Sequence, residues 1–125
     1  MSPRNSVFVV DDDVSMRKAV GRLLREHGFY ALLFDSAEAL QAHKDFSQAF
    51  CIILDIDLKG ISGIALRRTL ANSGITLPII YITGNDDDAT RAAAMASGCA
   101  AYLRKPFLAK SLLESIKSVY RPPSL

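Results

Sequence analysis

The run Phe50-Cys-Ile-Ile-Leu54, closed by Asp55, decides the fold of this chain. Five consecutive apolar residues without polar alternation describe a strand buried on both faces, as in a parallel sheet covered by helices on either side. The rest of the chain should then supply further strands and the covering helices. Upstream, Val7-Phe-Val-Val10 is a second buried run. From Val14 to His27, Met16, Val20, Leu23 and Leu24 recur at helical spacing, and Gly28 stands where a helix C-terminal cap belongs. Tyr30-Ala-Leu-Leu-Phe34 reads as another strand, followed by a short helix over Ala37–His43 that Ser36 can cap.

Downstream, Ser62 can cap a helix over Ile64–Leu70 that runs out near Asn72-Ser-Gly74. Pro78-Ile-Ile-Tyr-Ile82 is the fourth strand, with Pro78 at its first residue, where no ladder donor is lost. An alanine-rich helix from about Asp88 to Ser97 stops at Gly98. Ala100–Leu103 makes a short fifth strand. Leu108–Tyr120 makes a last amphipathic helix with Leu112, Leu113, Ile116 and Val119 on one face. Five strands thus alternate strictly with five helices, which implies an α/β domain with a parallel sheet. Right-handed crossovers leave few arrangements, and the doubly wound, flavodoxin-like order 2-1-3-4-5 suits a chain of 125 residues.

The bulk composition agrees with one compact domain. Half the residues are hydrophobic and 22% are charged, an ordinary globular balance. A formal charge of +2 with scattered basic residues gives no electrostatic case for direct nucleic-acid binding. Cys51 and Cys99 lie in apolar stretches and read as buried thiols of a reduced protein. His27 and His43 have no Cys or His at zinc-ligand spacing. The apolar runs are strand-length, far short of the ~20 residues that span a bilayer, and Met1-Ser-Pro-Arg-Asn5 leads into no signal-peptide core. A cytoplasmic location without membrane attachment is the default expectation.

In doubly wound sheets ligands bind beyond the carboxyl ends of the strands, at the switch point between strands 1 and 3. Strand 1 runs into Asp11-Asp12-Asp13, strand 3 into Asp55, strand 4 into Thr83, and strand 5 into Lys105 just before Pro106. Asp13 is expected to be only the N-cap of the following helix. Strands 1 and 3 are neighbours in this order, so Asp11, Asp12 and Asp55 should crowd one pocket. Crowded carboxylates repel one another unless a cation neutralises them. Mg2+ suits such a site, being held by one or two carboxylates and waters with a phosphate completing the shell; Mn2+ is the substitute ion. Lys105 adds an ammonium and Thr83 a hydroxyl donor, together a cradle for phosphoryl oxygens. Asp55 is then the nucleophile, forming an acyl phosphate.

These pieces resemble a response-regulator receiver domain of two-component signal transduction over about Val7 to Tyr120. The matching residues are Val-Val-Asp11-Asp12-Asp13 with Arg17, Leu54-Asp55 with Ser62-Gly63, Ile82-Thr83-Gly84, and Tyr102-Leu-Arg-Lys105-Pro106-Phe107. The resemblance implies a phosphoacceptor rather than an enzyme, one that assists its own phosphorylation and dephosphorylation, with a sensor histidine kinase as donor. It implies that Asp12 ligates the metal directly, that Asp11 acts mainly through water, and that Asp57 offers its backbone carbonyl. It also implies a cis bond before Pro106 and a switch made of Thr83 and Tyr102. The signalling surface would be helix 4, strand 5 and helix 5, where Arg91 and Arg104 could meet across a homodimer. The side chains of Asp57 and Asn85 occupy positions that tune phosphoryl lifetime in similar domains. The Thr-Gly-Asn-Asp stretch after strand 4 and the Lys-Pro-Phe end are similar to receivers of LuxR-type two-domain transcription regulators. DNA would then be reached only through an output domain outside this chain. Residues 1–120 form the receiver on this reading, and 121–125 begin a linker or tail.

One departure stands out. The position four after the acceptor, commonly proline in such domains, is Lys59, followed by Gly60. Two rival readings remain. One is a receiver-like binding module that works without phosphorylation. The other is a haloacid-dehalogenase-type phosphatase, suggested by Leu54-Asp55-Ile-Asp57; against it, the acidic cluster here precedes the nucleophile, and the loop after Asp57 is too short for a substrate-covering cap.

Overall fold

The computed structural model describes residues 5–121, so the terminal residues at 122–125, where the sequence suggests a linker, lie outside the described part. The elements alternate without exception: β1 (Ser6–Val10), α1 (Val14–Glu26), β2 (Tyr30–Phe34), α2 (Ala37–Ala42), β3 (Ala49–Asp55), α3 (Gly63–Asn72), β4 (Ile79–Thr83), α4 (Asp88–Ser97), β5 (Ala101–Arg104) and α5 (Ala109–Val119). The strands form one parallel sheet in the order β2-β1-β3-β4-β5. Every residue of β1, β3 and β4 is buried, which is why these stretches are apolar apart from Ser6, Asp55 and Thr83 at their ends; the edge strands β2 and β5 are only partly covered.

Successive strand residues point to opposite faces, and the core divides accordingly. Phe8, Val10, Ile52, Leu54 and Tyr81 pack with Leu40, Leu66, Leu70 and Ala94, so α2, α3 and α4 cover one face. Val7, Val9, Cys51, Ile53, Ile80 and Ile82 pack with Val20, Leu24, Leu112 and Ile116, so α1 and α5 cover the other. Each fully buried aliphatic side chain contributes about 1.5–3 kcal/mol relative to exposure. Against the second face, Tyr120 packs its ring at a tilt 4.8 Å from Phe50 and edge-on 5.4 Å from Phe29, fastening the end of α5. Cys51 is buried there, and burial pushes its thiol up to about 12; Cys99, expected to be fully buried, is partly exposed.

Local chemistry accounts for the element ends. The side chains of Asp13, Ser36, Ser62 and Asp87 accept backbone N–H groups at the starts of α1, α2, α3 and α4, each cap typically adding about 1 kcal/mol. Gly28 sits at φ +86° after α1, a left-handed conformation that favours glycine. Several limits differ from the sequence expectation by a residue or two. β3 reaches back to Ala49 and forward to Asp55, and β4 runs through Thr83, because ladder pairing continues past the apolar run. Pro78 falls just outside β4, since it has no N–H; its carbonyl still accepts from Ile52 N at 3.0 Å. Leu108 precedes α5 as an exposed, uncapped start rather than its first turn, and α1 and α2 end one residue before His27 and His43. No helix among the described residues is long and apolar enough to cross a membrane.

The loop that carries β3 into α3 folds tightly back on itself. Gly63 N donates to the carbonyl of Ile56 at 3.0 Å, and a Cβ at position 63 would run into the carbonyl of Asp55. Gly63→Ala is therefore expected to destabilise the domain by about 2 kcal/mol, as overpacking does. Urea unfolding monitored by far-ultraviolet circular dichroism would measure it.

Candidate functional site

Strand register assembles the site. Val10 pairs with Leu54 and Asp55 with Ile82, so Asp11, Asp55 and Thr83 come to the same carboxyl edge of the three central strands. Backbone bonds carry this order one residue further: Asp11 N donates to Phe34 O at 3.1 Å, Ile56 N to Ile82 O at 3.0 Å and Lys105 N to Thr83 O at 2.7 Å. Lys105 enters from beyond β5, just before a cis bond to Pro106.

Here the side chains meet. Lys105 Nζ lies 2.8 Å from Asp11 Oδ2 and 3.3 Å from Asp55 Oδ2. Asp11 is fully buried and Asp55 is 2% exposed, so the ammonium bridges two carboxylates largely withdrawn from water. Asp11 Oδ1 accepts from Asp13 N, and its backbone carbonyl accepts from the Arg17 guanidinium at 2.8 Å. Asp55 Oδ1 accepts from Asp57 N at 2.9 Å. Burial, opposed by that Asp57 N–H and by Lys105 but reinforced by the Asp11 charge, pushes the Asp55 carboxyl up to about 6. For Lys105 burial acts downward, but the hydrogen bond to Asp11 and the charges of both acids outweigh it and raise the ammonium above its ordinary value.

Asp12 stands at the rim, where its Oδ2 accepts from Lys59 N at 3.2 Å. Asp11, Asp12 and Asp55 each present a carboxylate oxygen, all within 4.8 Å of one another. Three carboxylates against one ammonium leave an excess of two negative charges, which one divalent cation would balance. Hard oxygen donors at this spacing fit Mg2+.

Thr83 is buried, yet its hydroxyl does not reach toward Asp55. It donates to Asp57 Oδ2 at 2.7 Å, and Gly84 N donates to the same oxygen at 3.2 Å. Asn85 N in turn donates to Thr83 Oγ1 at 3.0 Å. The Tyr102 hydroxyl lies with neither group: it donates to Asp86 Oδ1 at 2.9 Å, while Arg91 sits 5.1 Å over its ring and pairs with Asp86 at 2.7 Å. These bonds hold the Asp86 carboxyl below its ordinary range, Arg91 first and Tyr102 second. Burial, with Asp86 adding to it, pushes the Tyr102 phenol up to about 12.

The structure thus joins Asp11, Asp55 and Lys105 directly, sets Asp12 beside them and attaches Thr83 through Asp57, with Tyr102 on a separate clamp. Sequence reading overlooked two parts of this arrangement. The Lys59 N–H on Asp12 was available as a signal, since proline at that position would have no N–H to donate. The Asp86–Arg91–Tyr102 clamp gave none, because its members come from the loop before α4, from α4 itself and from β5.

Comparison with known proteins agrees with this geometry. Residues 7–117 match the family model described as the response regulator receiver domain. Nodulation protein W of Bradyrhizobium diazoefficiens is 36% identical over 115 residues, covering 92% of this chain and 51% of that protein. Transcriptional regulatory protein FixJ of the same organism is 31% identical over 121 residues, covering 97% of this chain and 59% of its own length. The solved structure of the response regulator StyR superposes with a TM-score of 0.84 at 38% identity, over 91% of this chain and 58% of that one. The chain spans about half to three-fifths of the length of these relatives.

The raised Asp55 carboxyl has a consequence for stability. Between its ordinary value of 3.8 and about 6, the folded protein keeps a proton on Asp55 that the unfolded chain has released, so this group's contribution to stability falls as pH rises through that window. Without divalent cation, Asp55→Asn should exceed wild type in stability by about 1–3 kcal/mol at pH 7 and by much less at pH 4. Urea unfolding at the two pH values checks this.

Proposed function

The chain belongs to the response regulator receiver domain family, and within it we propose that Asp55 accepts a phosphoryl group from the phosphohistidine of a sensor histidine kinase. The observation that carries this reading is the Lys105 ammonium bridging Asp55 and Asp11, with Asp12 beside them. A bond forms between an Asp55 carboxylate oxygen and phosphorus as the donor's phosphorus–nitrogen bond breaks, leaving the electron pair on the imidazole nitrogen. Asp12, Asp55, the Asp57 backbone carbonyl and, through water, Asp11 would hold Mg2+ (or Mn2+), which when bound neutralises charge on the phosphoryl oxygens. Lys105 offsets charge on the opposite side, and Thr83 with Gly84 supplies hydrogen-bond donors. Such groups act on the chain's own acceptor, in phosphoryl transfer and in hydrolysis, rather than on a succession of substrates.

Release of the signal would pass through Thr83 and Tyr102. A hydroxyl drawn to the phosphoryl oxygens leaves room behind it, and Tyr102 could give up Asp86 to follow. Of α4 only Ala94 is buried, so little apolar packing resists its displacement. The face formed by α4, β5 and α5 is the surface we assign to a partner or a second copy of the chain. One relative is a transcriptional regulatory protein, which supports an output in transcription; DNA would be contacted by an output domain beyond residues 1–125. The setting is the cytoplasm.

Treatment with a small phosphodonor and Mg2+ should add one phosphate to the intact mass, and Asp55→Ala should abolish that adduct. An unmodified wild-type mass would instead favour a binding module that works without phosphorylation. On the output face, Arg104→Glu is expected to weaken phosphorylation-dependent self-association several-fold while leaving phosphorylation intact, as light scattering after size exclusion would show.

A further inference from the structure

Two hydrogen-bond donors stand at the end of β4, the Thr83 hydroxyl and Gly84 N, and both are already taken. The Thr83 hydroxyl has one hydrogen and commits it to Asp57 Oδ2 at 2.7 Å. Gly84 N has one hydrogen, directed to the same oxygen at 3.2 Å. The residue that holds them is tied to the acceptor through its main chain, because Asp57 N donates to Asp55 Oδ1 at 2.9 Å. A carboxylate oxygen receiving two donors beside Asp55 occupies the kind of seat that a phosphoryl oxygen on Asp55 would need.

We propose that the Asp57 side chain is a resident substitute for the phosphoryl group: it fills the oxygen seat made by Thr83 and Gly84 in the resting protein and must be displaced when Asp55 is modified. This rests on the reading of Asp55 as acceptor, and it adds a competition that the reading does not require. Each donor has one hydrogen, and beyond Asp57 the Thr83 hydroxyl has Asn85 O at a longer 3.3 Å, so a phosphoryl oxygen and the Asp57 carboxylate compete for the same two hydrogens. Both acceptors are anions, so they also repel at this separation. Asp57 is exposed, so once displaced its carboxylate can turn to water without a burial penalty. The resting state is thereby favoured, and Thr83 stays engaged on Asp57 until a stronger anion arrives.

Beryllofluoride, which binds aspartate carboxylates as a phosphoryl mimic, tests the competition without turnover. Its apparent affinity would be measured at saturating Mg2+ for wild type, Asp57→Asn and Asp57→Ala, with the Gly84 amide resonance followed in each protein beforehand. Asn keeps a weaker, neutral acceptor oxygen, whereas Ala removes it. Binding should tighten roughly threefold in Asp57→Asn and roughly tenfold in Asp57→Ala, the scale of one charge-assisted hydrogen bond. The Gly84 amide should already be displaced in free Asp57→Ala. Equal affinities in all three proteins, or weaker binding in Asp57→Ala, would overturn the proposal. Equal tightening in both variants would also overturn it, assigning the effect to charge alone. Binding in none of them would remove the acceptor reading and this inference with it.

Discussion

One ammonium between two buried carboxylates is the interaction on which the rest of the site depends. Lys105 stands 2.8 Å from Asp11 and 3.3 Å from Asp55, with both acids almost wholly withdrawn from water. Removing the ammonium from such an arrangement would leave two uncompensated carboxylates in the interior, a penalty of several kcal/mol. The sheet holds these groups in place. Asp11 and Asp55 extend two adjacent, fully buried strands, and Lys105 is fixed to β4 through its own N–H on Thr83 O. The domain can carry this electrostatic tension because the apolar layers on both faces supply the stability.

The tension is also the source of reactivity. Burial, with the Asp11 charge adding to it, lifts the Asp55 carboxyl to about 6, and because a single positive charge cannot satisfy Asp11, Asp12 and Asp55 together, the pocket has room for further positive charge. A divalent cation would relieve the excess, and a phosphoryl group on Asp55 would redistribute it. The loop after β3 shapes the response. Lys59 steadies Asp12 through a backbone N–H that proline could not provide, and Asp57 keeps the Thr83 hydroxyl occupied. Both residues lie within four positions of Asp55, so these contacts come from one short segment.

The fold was largely legible in the sequence because its three inner strands are buried on both faces. Runs such as Phe50–Leu54 have no polar alternation to mislead, and glycines and capping side chains mark the helix ends. Strand limits differed where ladder hydrogen bonds or the absence of an N–H set them, as at Asp55, Thr83 and Pro78, and helix limits by a residue at His27, His43 and Leu108, which residue type does not reveal. The four clustered site residues were legible for the same reason: each lies at or just after a strand end, and the strand order places them together. Thr83 was foreseen as a residue but not in its partner, since its contact with Asp57 depends on the course of the loop after β3. The Asp86–Arg91–Tyr102 clamp was hidden because it joins side chains separated by up to 16 positions across three elements, and no periodicity encodes that proximity.

The central claim is that the reactive carboxylate is Asp55 and not one of its acidic neighbours. Borohydride reduces an acyl phosphate to an alcohol, which converts a phosphorylated aspartate into homoserine. Peptide mass spectrometry after phosphodonor treatment and reduction should therefore find homoserine at position 55 and at no other. Homoserine at position 11, 12 or 57, or a phosphorylated protein in which position 55 stays aspartate, would contradict the assignment.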